Sequence, residues 1–149
     1  MQVMARTGAV ALGEVGGDLP SIGSGLTRTA FLGTAPGRAS TPVVDNDPYR
    51  SYSLRPIEAH GTVFLLRLCF EDERLASVEI MDGDPRFGST HVDRSEAKER
   101  ARDARHREWL AGWGLGPGEQ PWGRVLAGYD GQAEESVVWL VYESASAED

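Results

Sequence analysis

The side chains best equipped for chemistry, or for gripping a partner, fall in two places. Asp45 and Asp47 lie in the run VVDND, and Arg94, Lys98, Arg102, Arg105, His106 and Trp109 lie in VDRSEAKERARDARHREWL. Aspartates two apart, as in the first place and again at Asp82 and Asp84, resemble the opening of a divalent-cation loop, where alternate oxygen ligands wrap one ion. Neither pair continues as such a loop, because proline follows Asp47 and no glutamate stands at the closing position. Turn chemistry accounts for both pairs. His60, His91 and His106 lack the close spacing that lets two imidazoles share a metal. His91 and Asp93 could form one ligand pair, although a solvated loop explains them equally well.

On a helical wheel of about 100° per residue, Arg94, Lys98, Arg102 and Arg105 fall within roughly 80° of one another. Such a basic stripe could hold a phosphate or an acidic loop. Glu96, Glu99 and Asp103 interleave around it, which favours a solvated face laced with salt bridges. His106, Trp109, Leu110 and Trp113 then share one helix face. With Trp122 they place three of the four tryptophans within HREWLAGWGLGPGEQPWGRV. Exposed rings beside a charged groove would make a stacking platform for a base or sugar. Rings at helical spacing followed by a strand make core, and the pattern favours core.

No nucleophile–base pair can be named. GSG at Gly23 to Gly25 lacks the frame of a nucleophile elbow. GWGLGPG follows a helix instead of joining strand to helix, so it is no phosphate-binding loop. Cys69, between Leu68 and Phe70 in an apolar run, is expected to be buried and inert. Nothing in the sequence names a catalytic residue, a cofactor site or a metal site.

The candidate residues on the charged stretch need a long helix to present them. VDRSEAKERARDARHREWLAG predicts one, opened by Asp93 with Glu96 in a capping-box arrangement and closed at Gly112 or Gly114. Ala97, Ala101 and Ala104 form a small apolar stripe, so the first half is expected to pack through alanines. The second half is expected to pack through Trp109, Leu110 and Trp113, with Trp122 closing the same corner. GTVFLLRLCF and RLASVEI predict a hairpin around EDE, and GRVLAGY and SVVWLVYE a second around DGQAEE. In the last strand Val138, Leu140 and Tyr142 should share one face, and Val137, Trp139 and Val141 the other. YRSYSL is a further strand, Ala9 to Val15 an N-terminal one, and Thr27 caps a helical turn carrying Phe31 and Leu32. TPVVDNDPYR and MDGDPRFGS read as loops. The expected class is therefore α+β: a mainly antiparallel sheet, built from two hairpins and an N-terminal strand, with one long helix on one face.

A chain of 149 residues suits a single domain spanning 1–149, with a loop-rich N-terminal segment over 1–48. Net charge is −8, from 23 acidic and 15 basic residues. That surplus repels nucleic-acid phosphates and speeds encounter with a basic partner. A single cysteine excludes an internal disulfide and suits a reducing compartment. The N-terminus is too short in apolar run and too glycine-rich for a signal peptide, and no stretch reaches membrane-spanning length, so a cytoplasmic location is expected.

GLTRTAFLGT, GTVFLLRLCFEDERLASVEI, DRSEAKERARDARHREWL and PWGRVLAGYDGQAEESVVWLVYE, in that order, resemble a family of small uncharacterised bacterial cytoplasmic proteins. The likeness runs from Gly25 to Glu143, and Trp109-Leu110, Trp122-Gly123 and Tyr129-Asp130 carry most of it. The family usually places tryptophans where this chain has His91 and Arg94. Some similar proteins sit beside secreted toxins as candidate immunity proteins, so the resemblance implies a protein partner, a toxin among the candidates. Two functions stay open. One is a non-catalytic acidic binding protein whose loops VVDND, FEDER and DGQAEE meet a basic surface. The other is a ligand-binding protein or enzyme with a pocket between helix and sheet, rimmed by Arg102, His106 and Trp109. A homodimer through the edge of Val137 to Tyr142 is a third arrangement.

Overall fold

The computed structural model describes residues 1–88, 95–130 and 135–143. Eleven strands run through them: β1 (Gln2–Val3), β2 (Val10–Ala11), β3 (Ser21–Ile22), β4 (Thr41–Asn46), β5 (Tyr49–Ser53), β6 (Ile57–Ala59), β7 (Thr62–Glu71), β8 (Arg74–Asp82), β9 (Gly118–Gln120), β10 (Gly123–Asp130) and β11 (Glu135–Tyr142). The helices are α1 (Arg28–Leu32), α2 (Ala35–Arg38) and the one long helix, α3 (Glu96–Gly112). Short 3-10 turns occupy Gly13–Gly16 and Pro85–Phe87.

Strand β7 sets the orientation of the whole. Phe64, Leu66, Leu68 and Phe70 are buried, while Val63, Leu65, Arg67 and Cys69 alternate onto the half-buried opposite face. Its neighbours repeat the pattern: Val78 and Ile80 on β8, Val138, Leu140 and Tyr142 on β11, and Val125 on β10 point to the same interior. The sheet is eight-stranded, in the order β4-β5-β7-β8-β11-β10-β9, with β6 also paired to β7, and every pairing in it is antiparallel. The two expected hairpins thus fuse through the β8–β11 pair into a sheet larger than they alone would make. Strand β11 lies between β8 and β10, so the Val137–Tyr142 stretch is an inner strand and not a free edge for a dimer seam.

The interior face is covered from two sides. Helix α3 lies over β8, β10 and β11. On the other side, Phe31 of α1 packs its ring on Tyr52 and Phe70, with Thr27 capping α1 through the Ala30 N–H. A separate three-stranded sheet, β1-β2-β3, adds Val3, Val10 and Ile22 to the same core. Trp122 packs its ring at a tilt against Tyr142 and donates its indole N–H to the Ala5 carbonyl, and Tyr142 donates its hydroxyl to the Gly8 carbonyl. Gly8 sits at φ +73, and a Cβ there would lie 2.5 Å from the Trp122 ring, so only glycine lets this clamp close.

Three sequence expectations are corrected. TPVVDN is strand β4, not loop: as the outermost strand it needs no ladder bond from Pro42, and pairing with β5 supplies the order its composition does not. Ala9 to Val15 yields only the two-residue β2 before turning into a 3-10 helix at Gly13. Helix α3 is capped by Ser95, whose hydroxyl accepts the Lys98 N–H; Asp93 lies outside the described residues. The helix does close where expected, at Gly112, with Gly114 at φ +76 just beyond.

Candidate functional site

The charged helix holds its main surprise inside. Ala97, Ala101 and Ala104, expected to face the sheet, are exposed. The buried face of the first half is instead Glu99 and Arg102, 1% and 3% exposed, followed by His106 at 0%. A charge pair this deep requires every strong hydrogen-bonding direction to be answered, and nearly all are. Arg102 Nη1 donates to both Glu99 oxygens at 2.9 Å, and Nη2 donates to the Phe87 and Gly88 carbonyls at 3.0 and 2.7 Å. Glu99 Oε1 also accepts the Ser136 N–H at 2.9 Å, and the Glu99 carbonyl accepts the Ser136 hydroxyl. One ion pair therefore joins α3 to β11 and to the turn after β8.

His106 makes the next link. Its Nε2 accepts the Asp82 backbone N–H at 2.9 Å, which places the ring proton on Nδ1. Burial, then the Arg102 charge, pull its pKa down to about 4, against a smaller opposing pull from Asp103. The Asp82 carboxylate is itself buried; it accepts the Asp84 N–H and faces Arg105 at 3.9 Å. Beyond His106, the Trp109 ring lies 4.9 Å from the imidazole, 4.7 Å from Phe64 and 6.0 Å from Trp113. The tryptophans near the helix end are core. Arg102, His106 and Trp109, expected at the rim of a helix–sheet pocket, fill that space with their own side chains. The basic stripe is divided accordingly: Arg102 is inside, Arg105 is bound to Glu108 at 3.0 Å, Lys98 is half-buried, and Arg94 lies outside the described residues.

The other candidates sit in water. Asp45 and Asp47 keep 75% and 85% of their side-chain surface exposed, and both reach Arg50, at 2.5 and 3.6 Å. They do not stand alone. The Asp72 N–H donates to the Pro48 carbonyl, and Tyr49 pairs with Glu71, so the VVDND and FEDER segments meet at one end of the sheet. Five carboxylates gather there (Asp45, Asp47, Glu71, Asp72 and Glu73), against three guanidinium groups. Arg28 reaches Glu73, Arg50 the two aspartates, and Arg74 Glu71. Glu73 also accepts the Thr29 N–H, and the Thr29 side chain first, then that backbone bond, helped by Arg28, hold its carboxyl below the usual range. Amid these charges stand three exposed apolar side chains: Tyr49 at 56%, Val43 at 45% and Val44 at 37%.

Sequence reasoning missed a third group, on the face of the sheet turned away from α3. Arg67, Glu79 and Trp139 lie side by side on β7, β8 and β11. The Trp139 indole N–H donates to Glu79 at 2.9 Å, and Arg67 stands 3.4 Å from the same carboxylate. Cys69, expected in the interior, is half-buried on this face with Sγ 4.0 Å from Glu79, and burial, reinforced by that carboxylate, raises its thiol pKa. Opposite charges at facing positions of a predicted hairpin were the available signal. Among the described residues, no three histidine, cysteine, aspartate or glutamate side chains come together as a metal set, and no helix is long and apolar enough to cross a membrane. No protein-family model, curated protein or solved structure matches the chain.

Proposed function

We propose that the chain is a non-catalytic binding protein that covers a basic protein surface, in the manner of an immunity protein blocking a toxin. The observation that carries this reading is the acidic sheet end, where the β4–β5 and β7–β8 turns meet and gather five carboxylates at the end of the strand that carries the exposed Tyr49. Interfaces draw their affinity from a few rigid aromatic anchors and their encounter rate from complementary charge. Tyr49, with Val43 and Val44 beside it, is such an anchor, and the net charge of −8 supplies the steering field. The residues with the most chemical capacity, Glu99, Arg102 and His106, are meanwhile committed to holding the helix. Protection of cells tests the proposal. If a toxin-like reading frame neighbours the gene, co-expression of the two should restore growth, and Asp45→Lys with Asp47→Lys should abolish the rescue while the purified variant stays folded. Growth arrest despite abundant wild-type protein would sink it.

A further inference from the structure

A groove of about 300 Å³ lies between the 3-10 turn at Gly13–Gly16, α2, and the connector from β5 to β6. Its volume lies at the lower end of the roughly 300–1,000 Å³ typical of small-ligand sites. Leu12 and Leu54 are the buried part of its lining, and the exposed Val15 with the half-buried Pro36 and Ile57 complete its apolar surface. Arg55 is the one charged residue in the lining. It is exposed, and among the described residues it makes no hydrogen bond or ion pair, whereas Arg28, Arg50, Arg67, Arg102 and Arg107 each sit against a carboxylate. Pro56 follows it and biases its backbone toward the extended region. The nearby Asp18 is already engaged, accepting the Ala35 N–H at 2.8 Å.

An apolar trough with a single unanswered cation on its lining has a definite chemical complement. We propose that this groove binds a small amphiphilic monocarboxylate, with its apolar tail over Leu12, Leu54 and Ile57 and its carboxylate forked onto Arg55. Arginine suits that end because its planar donors match a carboxylate with two parallel bonds. The groove walls come from three separate segments, so an occupant ties the N-terminal segment to the main sheet and should raise the melting temperature. A free medium-chain acid and the apolar C-terminus of a peptide share this chemistry.

Octanoate and N-acetyl-leucylleucine serve as probes for these two sources, with 1-octanol and octylamine as uncharged and cationic controls. In methyl NMR spectra of the full chain, one or both acids should shift Val15, Leu54 and Ile57 and raise the melting temperature, and the stronger binder identifies the source. Arg55→Gln, at an exposed position that leaves the core untouched, should weaken binding by about tenfold or more, the loss of one charge-assisted pair. Val15→Glu should weaken it as well, by placing a like charge at the mouth. Unmoved methyl signals at millimolar acid, or octanol binding as tightly as octanoate with Arg55→Gln no different from wild type, would overturn the proposal.

Discussion

Beneath α3, Glu99 and Arg102 are almost wholly removed from water, whereas Asp45 and Asp47 around Arg50 are mostly open to it. The strand register puts these two charge groups at opposite ends of the β7–β8 hairpin, Ser136 lying beyond the Asp82 end and Glu71 and Arg74 flanking the turn. Both groups set carboxylates against an arginine at salt-bridge distance, yet the work differs. In the interior, desolvation makes each charge intolerable without its partner, so the pair acts as a bolt. In water, the same pairing is worth little to the fold, and the carboxylates keep the freedom to exchange Arg50 for a partner's cation. Burial, and not the kind of side chain, separates cohesion from recognition.

The contrast can be broken most severely from the inside. Glu99→Ala leaves Arg102 charged and buried, and denaturant unfolding should show a loss of about 3–5 kcal/mol. Removing both charges, as Glu99→Leu with Arg102→Met, should not restore stability, because the Ser136 N–H and the Phe87 and Gly88 carbonyls lose their partners. Acid provides the next largest effect. His106 titrates at about 4 in the folded chain but near its ordinary 6.5 when unfolded, so unfolding takes up a proton between those values. Its contribution, about 3 kcal/mol, is intact above pH 6.5 and disappears as pH falls through 4. Protonation also sets an Nε2–H against the Asp82 N–H, two donors face to face. His106→Gln should flatten this part of the pH–stability curve, measured by urea unfolding from pH 7 to 4.

At the acidic end the order of effects should reverse. Tyr49→Ala should change stability by under about 0.5 kcal/mol and cost about 2 kcal/mol or more in affinity for the basic partner, read by calorimetry. Smallest of all, Arg50→Ala should shift the denaturation midpoint by less than about 1 kcal/mol, since its two carboxylates are solvated. A large stability loss on Arg50→Ala would erase the distinction between the two regions.

Much of the sheet was legible because alternation is local: the faces of β7 and β11 follow from their own residues. The helix was legible in extent but misread in facing. Its buried side is charged, and hydrophobic periodicity points to the alanines when the true interior is an ion pair. Strand β4 escaped notice because Pro42, Asp45, Asn46 and Asp47 are turn formers in isolation, and only the neighbouring β5 makes them a strand. The acidic loops were visible as charge. Their meeting was not, since it depends on the Asp72–Pro48 bond across the sheet end.

Sequence alone determined the α+β class, the antiparallel hairpins, the extent of the long helix and the acidic character of the chain. These depend on properties that repeat every two or three to four residues, or on composition, and need no knowledge of distant partners. Tertiary structure decided that the hairpins join through β8 and β11, that Glu99 finds Ser136 across 37 residues, and that two acidic segments converge on Tyr49. Each of these is a long-range pairing. Its energy exists only once water has been excluded, or distant backbone aligned, by the rest of the fold.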